Sequence, residues 1–118
     1  MILGDIFAYN KNRYFLLITL FVAINTVLHP LTAGYVPTAL DGTPNYSSAF
    51  ATNFVTWGIS WNIFGIIIGA GIAAFKKKDE PLRIITAKAS LKTIFWIQFV
   101  CAILHVSFLL TELFKFLT

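Results

Sequence analysis

The run Thr93–Thr111, TIFWIQFVCAILHVSFLLT, holds 19 residues and not one charge. As a helix rising about 1.5 Å per residue it covers roughly 28 Å, close to the ~30 Å hydrocarbon core of a bilayer. Two more runs meet the same requirement, since no charged residue falls between Tyr14 and Leu40 or between Gly42 and Phe75. The whole chain of 118 residues is 58% apolar and 12% charged, against roughly 25% charged residues in soluble domains. Backbone polar groups in hydrocarbon must pair within their own segment, which dictates helices. The sequence therefore predicts an all-α integral membrane protein with three transmembrane helices at residues 14–35, 53–75 and 93–111, in a single membrane domain covering 1–118. The remainder divides into an interfacial segment 1–13, loops 36–52 and 76–92, and a tail 112–118.

The basic residues set the expected orientation. With the N-terminus cytoplasmic, Lys11, Arg13, Lys76, Lys77, Lys78, Arg83, Lys88 and Lys92 are inside and only Lys115 is outside, as the positive-inside rule requires. Loop 36–52 and the tail are then the outer connections. The net charge of +4 is accounted for by this one face and points to lipid headgroups rather than nucleic acid. Tyr14 and Trp96 are expected at the inner interface, and Tyr35, Tyr46 and Trp57 at the outer one. The first uncharged run, 27 residues long, exceeds the apolar region of a signal peptide, about 7–15 residues, so it is expected to remain as a span. The Pro-rich and hydroxyl-rich loop 36–52 reads as turns, and Asn45-Tyr46-Ser47 matches a glycosylation acceptor.

Within the spans, small residues recur on one face of the second helix. Gly58, Asn62, Gly65, Gly69 and Ala73 lie within roughly 80° of one another at 100° per residue, and Gly65–Gly69 forms a GxxxG of the kind that brings helix backbones together. Polar residues are equally ordered. Gln98, His105 and Glu112 follow one another at intervals of seven on the third helix, with Cys101 one turn from His105. Asn25 lies one turn from His29 on the first. Counted from the charged borders, His29 is 15 residues from Tyr14, Asn62 is 14 from Lys76 and His105 is 13 from Lys92, which places all three roughly 20 Å above the inner edge. Pro30 disfavours helical geometry at His29, yet a helix stopping at Leu28 would span only about 22 Å, so a kinked continuation is expected.

Such a layer of His29, Asn62 and His105, supported by Asn25 and Cys101, suits interhelical hydrogen bonding. It also suits haem b held between His29 and His105, or a proton, quinone or copper site. In size and span count the chain resembles the three-helix anchor subunits of succinate dehydrogenases and fumarate reductases, whose histidines bind haem. That resemblance is architectural and transfers no residue. Phosphate loops, HExxH, CxxC and serine-nucleophile motifs do not occur in the chain. The expected function is a non-catalytic accessory subunit, without a cofactor of its own, of a hetero-oligomeric respiratory or oxidative complex. Its other transmembrane subunits and lipids would be its partners, in a prokaryotic plasma membrane or the mitochondrial inner membrane. A haem b electron-transfer anchor and a small homo-oligomeric transporter are the alternatives.

Overall fold

The computed structural model describes residues 11–32, 35–75 and 81–118. The expected interfacial segment 1–13 lies outside them except for its last three residues, as do Lys76, Lys77 and Lys78. Three helices are long and apolar enough to cross a membrane, and no named strand occurs among the described residues. Helix α1 is Lys11–Thr32. Helix α2 runs from Tyr46 to Ala74, interrupted by one π-helical segment at Thr56–Ser60. Helix α3 is Leu82–Leu117, 36 residues long, or about 54 Å.

Helix α1 continues through Pro30 as expected, so His29 is a helical residue, whereas α2 and α3 depart from their expected bounds for physical reasons. Helix α2 begins seven residues before the expected span, because Asn45 caps it: its Oδ1 accepts from the Ser48 backbone N–H at 3.0 Å. The side chain read as a glycosylation acceptor thus serves as the N-cap, satisfying a donor the first turn leaves free. Helix α3 starts just after Pro81, a residue suited to a helix start, and residues 82–92 are helix where a loop was expected. The same helix takes in the expected tail 112–117. There Lys115 and Glu112 form an exposed i,i+3 ion pair at 3.4 Å, of little energetic consequence in water.

The connection between α1 and α2 folds back on itself. Asp41 and Gly42 form its tip, with Gly42 at φ 88°, a left-handed conformation that glycine adopts without strain. The Asp41 carboxylate accepts from the Thr43 hydroxyl at 2.6 Å and the Thr43 N–H at 3.0 Å. These bonds, the hydroxyl first, hold its pKa below the ordinary aspartate value.

Three contacts build the bundle. Toward the α2–α3 connection, Gly65 and Gly69 bring the backbone of α2 against Ile94 and Ser90 of α3, and Ala73 packs with Ile85 and Ala89. The small-residue face is therefore consumed inside this chain. Gly58 does not share that role, since the atoms nearest to a Cβ there belong to the Phe54 ring of its own helix. The second contact joins α1 to α3 through Tyr14, Ile18 and Val22 against Ile94 and Phe95, with the Tyr14 and Phe95 rings edge to face at 5.4 Å. Tyr14 is thus buried in the core. Beyond the π turn, the Tyr46–Val55 part of α2 packs on α1, burying Ala49 and Asn53.

Candidate functional site

Polar side chains from all three helices meet along the bundle axis. At the base, Asn62 Nδ2 donates to the Gly58 carbonyl at 3.0 Å, and its Oδ1 accepts from Gln98 Nε2 at 2.9 Å. Gln98 Nε2 also donates to the Trp57 carbonyl at 2.8 Å. Gln98 Oε1 accepts from Asn25 Nδ2 at 2.7 Å, and that amide reaches the Gln98 carbonyl as well, at 3.1 Å. Asn25 Oδ1 meets His105 Nδ1 at 2.9 Å, and His105 Nε2 meets His29 Nδ1 at 2.9 Å. Gln98 and Asn25 are fully buried, where each unpaired polar atom would cost about 1–3 kcal/mol.

The chain of bonds fixes the protons. Because Asn25 uses its amide nitrogen on Gln98, its oxygen is the acceptor that faces His105, so His105 Nδ1 carries a proton. In the neutral ring the other nitrogen then accepts, and His29 supplies the proton from Nδ1. His29, at the end of the chain, lines a cavity of about 210 Å³ with Tyr35, Pro37, Ala49, Thr52 and Asn53. The Trp57 ring lies edge-on to His29 at 5.7 Å and to His105 at 5.4 Å and stacks on Trp61 at 5.6 Å. Trp57 is buried, packed among the polar side chains rather than turned outward. Its Nε1 and the Thr26 hydroxyl are the buried side-chain atoms left without a partner among the described residues.

The π turn explains one of these bonds. In an α-helix the Trp61 N–H would bond to Trp57, four residues back; here it bonds to Thr56. The Trp57 carbonyl is left to accept from Gln98. A π bulge at a polar site is a common device for exposing a backbone acceptor.

Of the residues singled out from sequence, His29, His105, Asn25 and Asn62 come together in this column. Cys101 is half-buried with a free thiol and forms no part of the bonded chain. Gln98, named only as one member of a seam, is the hub that joins the three helices. The expected single layer is instead a ladder, because Asn62 bonds to Gln98, seven residues from His105 on α3, or about 10 Å along the axis. The depth count assumed that Lys76 and Lys92 mark one level. Gly69 lies against Ser90 and Ala73 against Ile85 and Ala89, so the α2 end beside Lys76 faces a turn or more below Lys92.

The geometry also bears on ligands. Two iron–imidazole bonds of about 2 Å would hold the ligating nitrogens about 4 Å apart with the porphyrin between them. His29 and His105 are bonded to each other at 2.9 Å with ring centroids 5.0 Å apart, so in this arrangement they do not fit haem b. Among the described residues no three His, Cys, Asp or Glu side chains group as a metal-ligand set.

If the ladder carries stability, the two imidazoles should contribute unequally. Each deletion strands a buried acceptor, Asn25 Oδ1 in His105→Ala and His105 Nε2 in His29→Ala, and should cost about 1–3 kcal/mol, but His105→Ala removes two bonds against one and should cost the more. Titration of the detergent-solubilised protein with SDS, followed by circular dichroism, measures both; equal losses would mean that the two imidazoles do not form a polarised chain.

No family model, curated protein or solved structure matches the chain. The class is therefore defined by its own features: a three-helix protein of membrane-spanning length whose interior is pinned by an amide–imidazole ladder.

Proposed function

We propose that the chain is a non-catalytic subunit of a larger membrane complex, with its N-terminus cytoplasmic, and that it meets its partners through the end of α3. Gly65 and Gly69 and the polar residues Gln98 and His105 are occupied within the chain, so neither set supports a partner. The observation that supports one is at the end of α3. From Val106 to Leu117 every residue is exposed, and Phe108, Leu109, Leu110, Leu113, Phe114 and Phe116 cover roughly two thirds of the helix circumference. This segment of about 18 Å follows directly on His105, whose partner His29 is three residues from the end of α1. An isolated apolar helix end is covered by membrane or by protein, and a subunit interface is the cover we propose. The polar ladder then serves to lock the bundle, its groups being committed to one another rather than to a substrate. A respiratory or oxidative enzyme remains the proposed host.

A photo-crosslinking residue at Phe114, compared with one at Ile67 on the opposite part of the bundle, tests this in native membranes. Discrete adducts to another membrane subunit from Phe114 are expected. A chain that purifies alone in mild detergent and yields only lipid adducts would sink the subunit reading, and adducts between copies of the chain would favour the transporter alternative.

A further inference from the structure

Between α2 and α3, on the side facing away from α1, lies an open groove of about 470 Å³, within the ~300–1,000 Å³ of small-molecule sites. Ile68 and Ile72 form one wall, and Trp96, Ile97 and Ala89 the other. It exists because Gly69 lies against the Ser90 backbone: helices this close leave a furrow beside the contact wherever larger residues flank it. One cation lines this apolar furrow. Lys92 stands in the α3 wall beside Thr93, and Lys88 follows one turn nearer the start of α3, on the same face.

The chemistry of Lys92 names the occupant. Side chains on a helix lean toward its N-terminus, so the Lys92 stem runs along the furrow toward the α2–α3 connection, where a snorkelling ammonium reaches the headgroups. None of the lining residues is acidic. A cation in an apolar wall calls for a counter-anion, and one that enters this groove must carry a hydrocarbon tail. Basic pockets between transmembrane helices select anionic lipid headgroups on these grounds. We propose that the α2–α3 groove is a binding site for an anionic phospholipid, its phosphate on Lys92 and one acyl chain along Ile68, Ile72 and Ile97. Trp96, half-exposed in the same wall, caps the chain with its ring. The site is independent of the subunit reading, since it uses no residue of the α3 end.

Trp96 is a built-in reporter. The full chain is reconstituted in phosphatidylcholine nanodiscs containing either phosphatidylglycerol or phosphatidylcholine brominated on its acyl chains, and the Trp96 signal is taken as the difference from Trp96→Phe. Brominated phosphatidylglycerol should occupy the groove about fivefold more readily than brominated phosphatidylcholine at equal mole fraction, the preference expected of one lysine near a headgroup. Lys92→Gln should abolish the preference, and Lys115→Gln should keep it. Ile72→Phe, which narrows the groove without entering the bundle interior, should lower quenching by phosphatidylglycerol. Equal quenching by the two lipids, a preference that survives Lys92→Gln, or quenching indifferent to Ile72→Phe would each overturn the proposal.

Discussion

Gly69→Ala is expected to destabilise the bundle by about 3 kcal/mol, Gly65→Ala by about 1 kcal/mol, and Gly71→Ala by nothing measurable. A Cβ at 69 would lie 2.4 Å from Ser90 Cα and 2.6 Å from Ser90 N. These are backbone atoms, so the helices themselves must separate. Separation would also break the Ser90 hydroxyl bond to the Ile66 carbonyl, 3.4 Å long. At 65 the nearest atom, at 2.7 Å, is Ile94 Cγ1, which a rotamer change can withdraw. At 71 the space is open, and alanine is the better helix former. Unfolding by SDS, read from helical circular dichroism, gives all three values. A Gly69→Ala protein as stable as Gly71→Ala would mean that the two backbones do not touch.

Gln98→Leu is the second large effect, on the order of 3 kcal/mol, from several interhelical bonds worth about 0.6 kcal/mol and up to roughly 2 each. Leucine keeps the volume but leaves the Trp57 carbonyl and Asn62 Oδ1 without their donor, and Asn25 Nδ2 with the backbone carbonyl alone. Gln98→Glu should be worse still, because it sets carboxylate oxygens against the Trp57 carbonyl and Asn62 Oδ1 in a fully buried position. The losses should not add. In a Gln98→Leu background, Asn25→Leu should cost less than in the native chain, since the amide it deletes has already lost a partner. A double-mutant cycle measuring no coupling between 25 and 98 would remove Gln98 from the centre of the ladder.

Much of this was legible in the residues. A charge-free run of twenty or so residues admits few structures in hydrocarbon, so the three helices followed from Tyr14–Leu40, Gly42–Phe75 and Thr93–Thr111 alone. His29, Asn25, His105 and Asn62 stood out because a polar group among apolar neighbours must find a partner. Which partner it finds is a matter of register, and register is set by side chains that meet only when the helices are placed: Gly69 on Ser90, Tyr14 on Phe95. Counting from lysines failed for the same reason, since Lys92 lies on a helix that starts ten residues earlier, at Leu82. Gln98 was visible as a polar residue, but one of its bonds is to a carbonyl that only an irregular turn exposes, and the others need Asn25 and Asn62 brought level with it. Trp57 read as an interfacial ring because tryptophan is common there, and nothing in its neighbours announced the two imidazoles against it.

That irregular turn also governs which neighbour α2 can hold. The buried positions Ala49, Asn53, Trp57, Gly65, Gly69 and Ala73 are spaced throughout by multiples of four. On an unbroken α-helix a stride of four advances about 40°, so from Ala49 to Ala73 the stripe would wind through roughly 240°. One residue absorbed by the π turn takes back about 100° of this, leaving roughly 140° along a stripe that meets α1 at one end of α2 and α3 at the other. The interruption thus behaves as a gear between two halves of one helix. A one-residue deletion within Thr56–Ser60 would let the backbone relax to regular α-helix with both halves still in phase, at the cost of the Trp57 carbonyl. An insertion there would turn Ala49 and Asn53 off α1 and onto lipid.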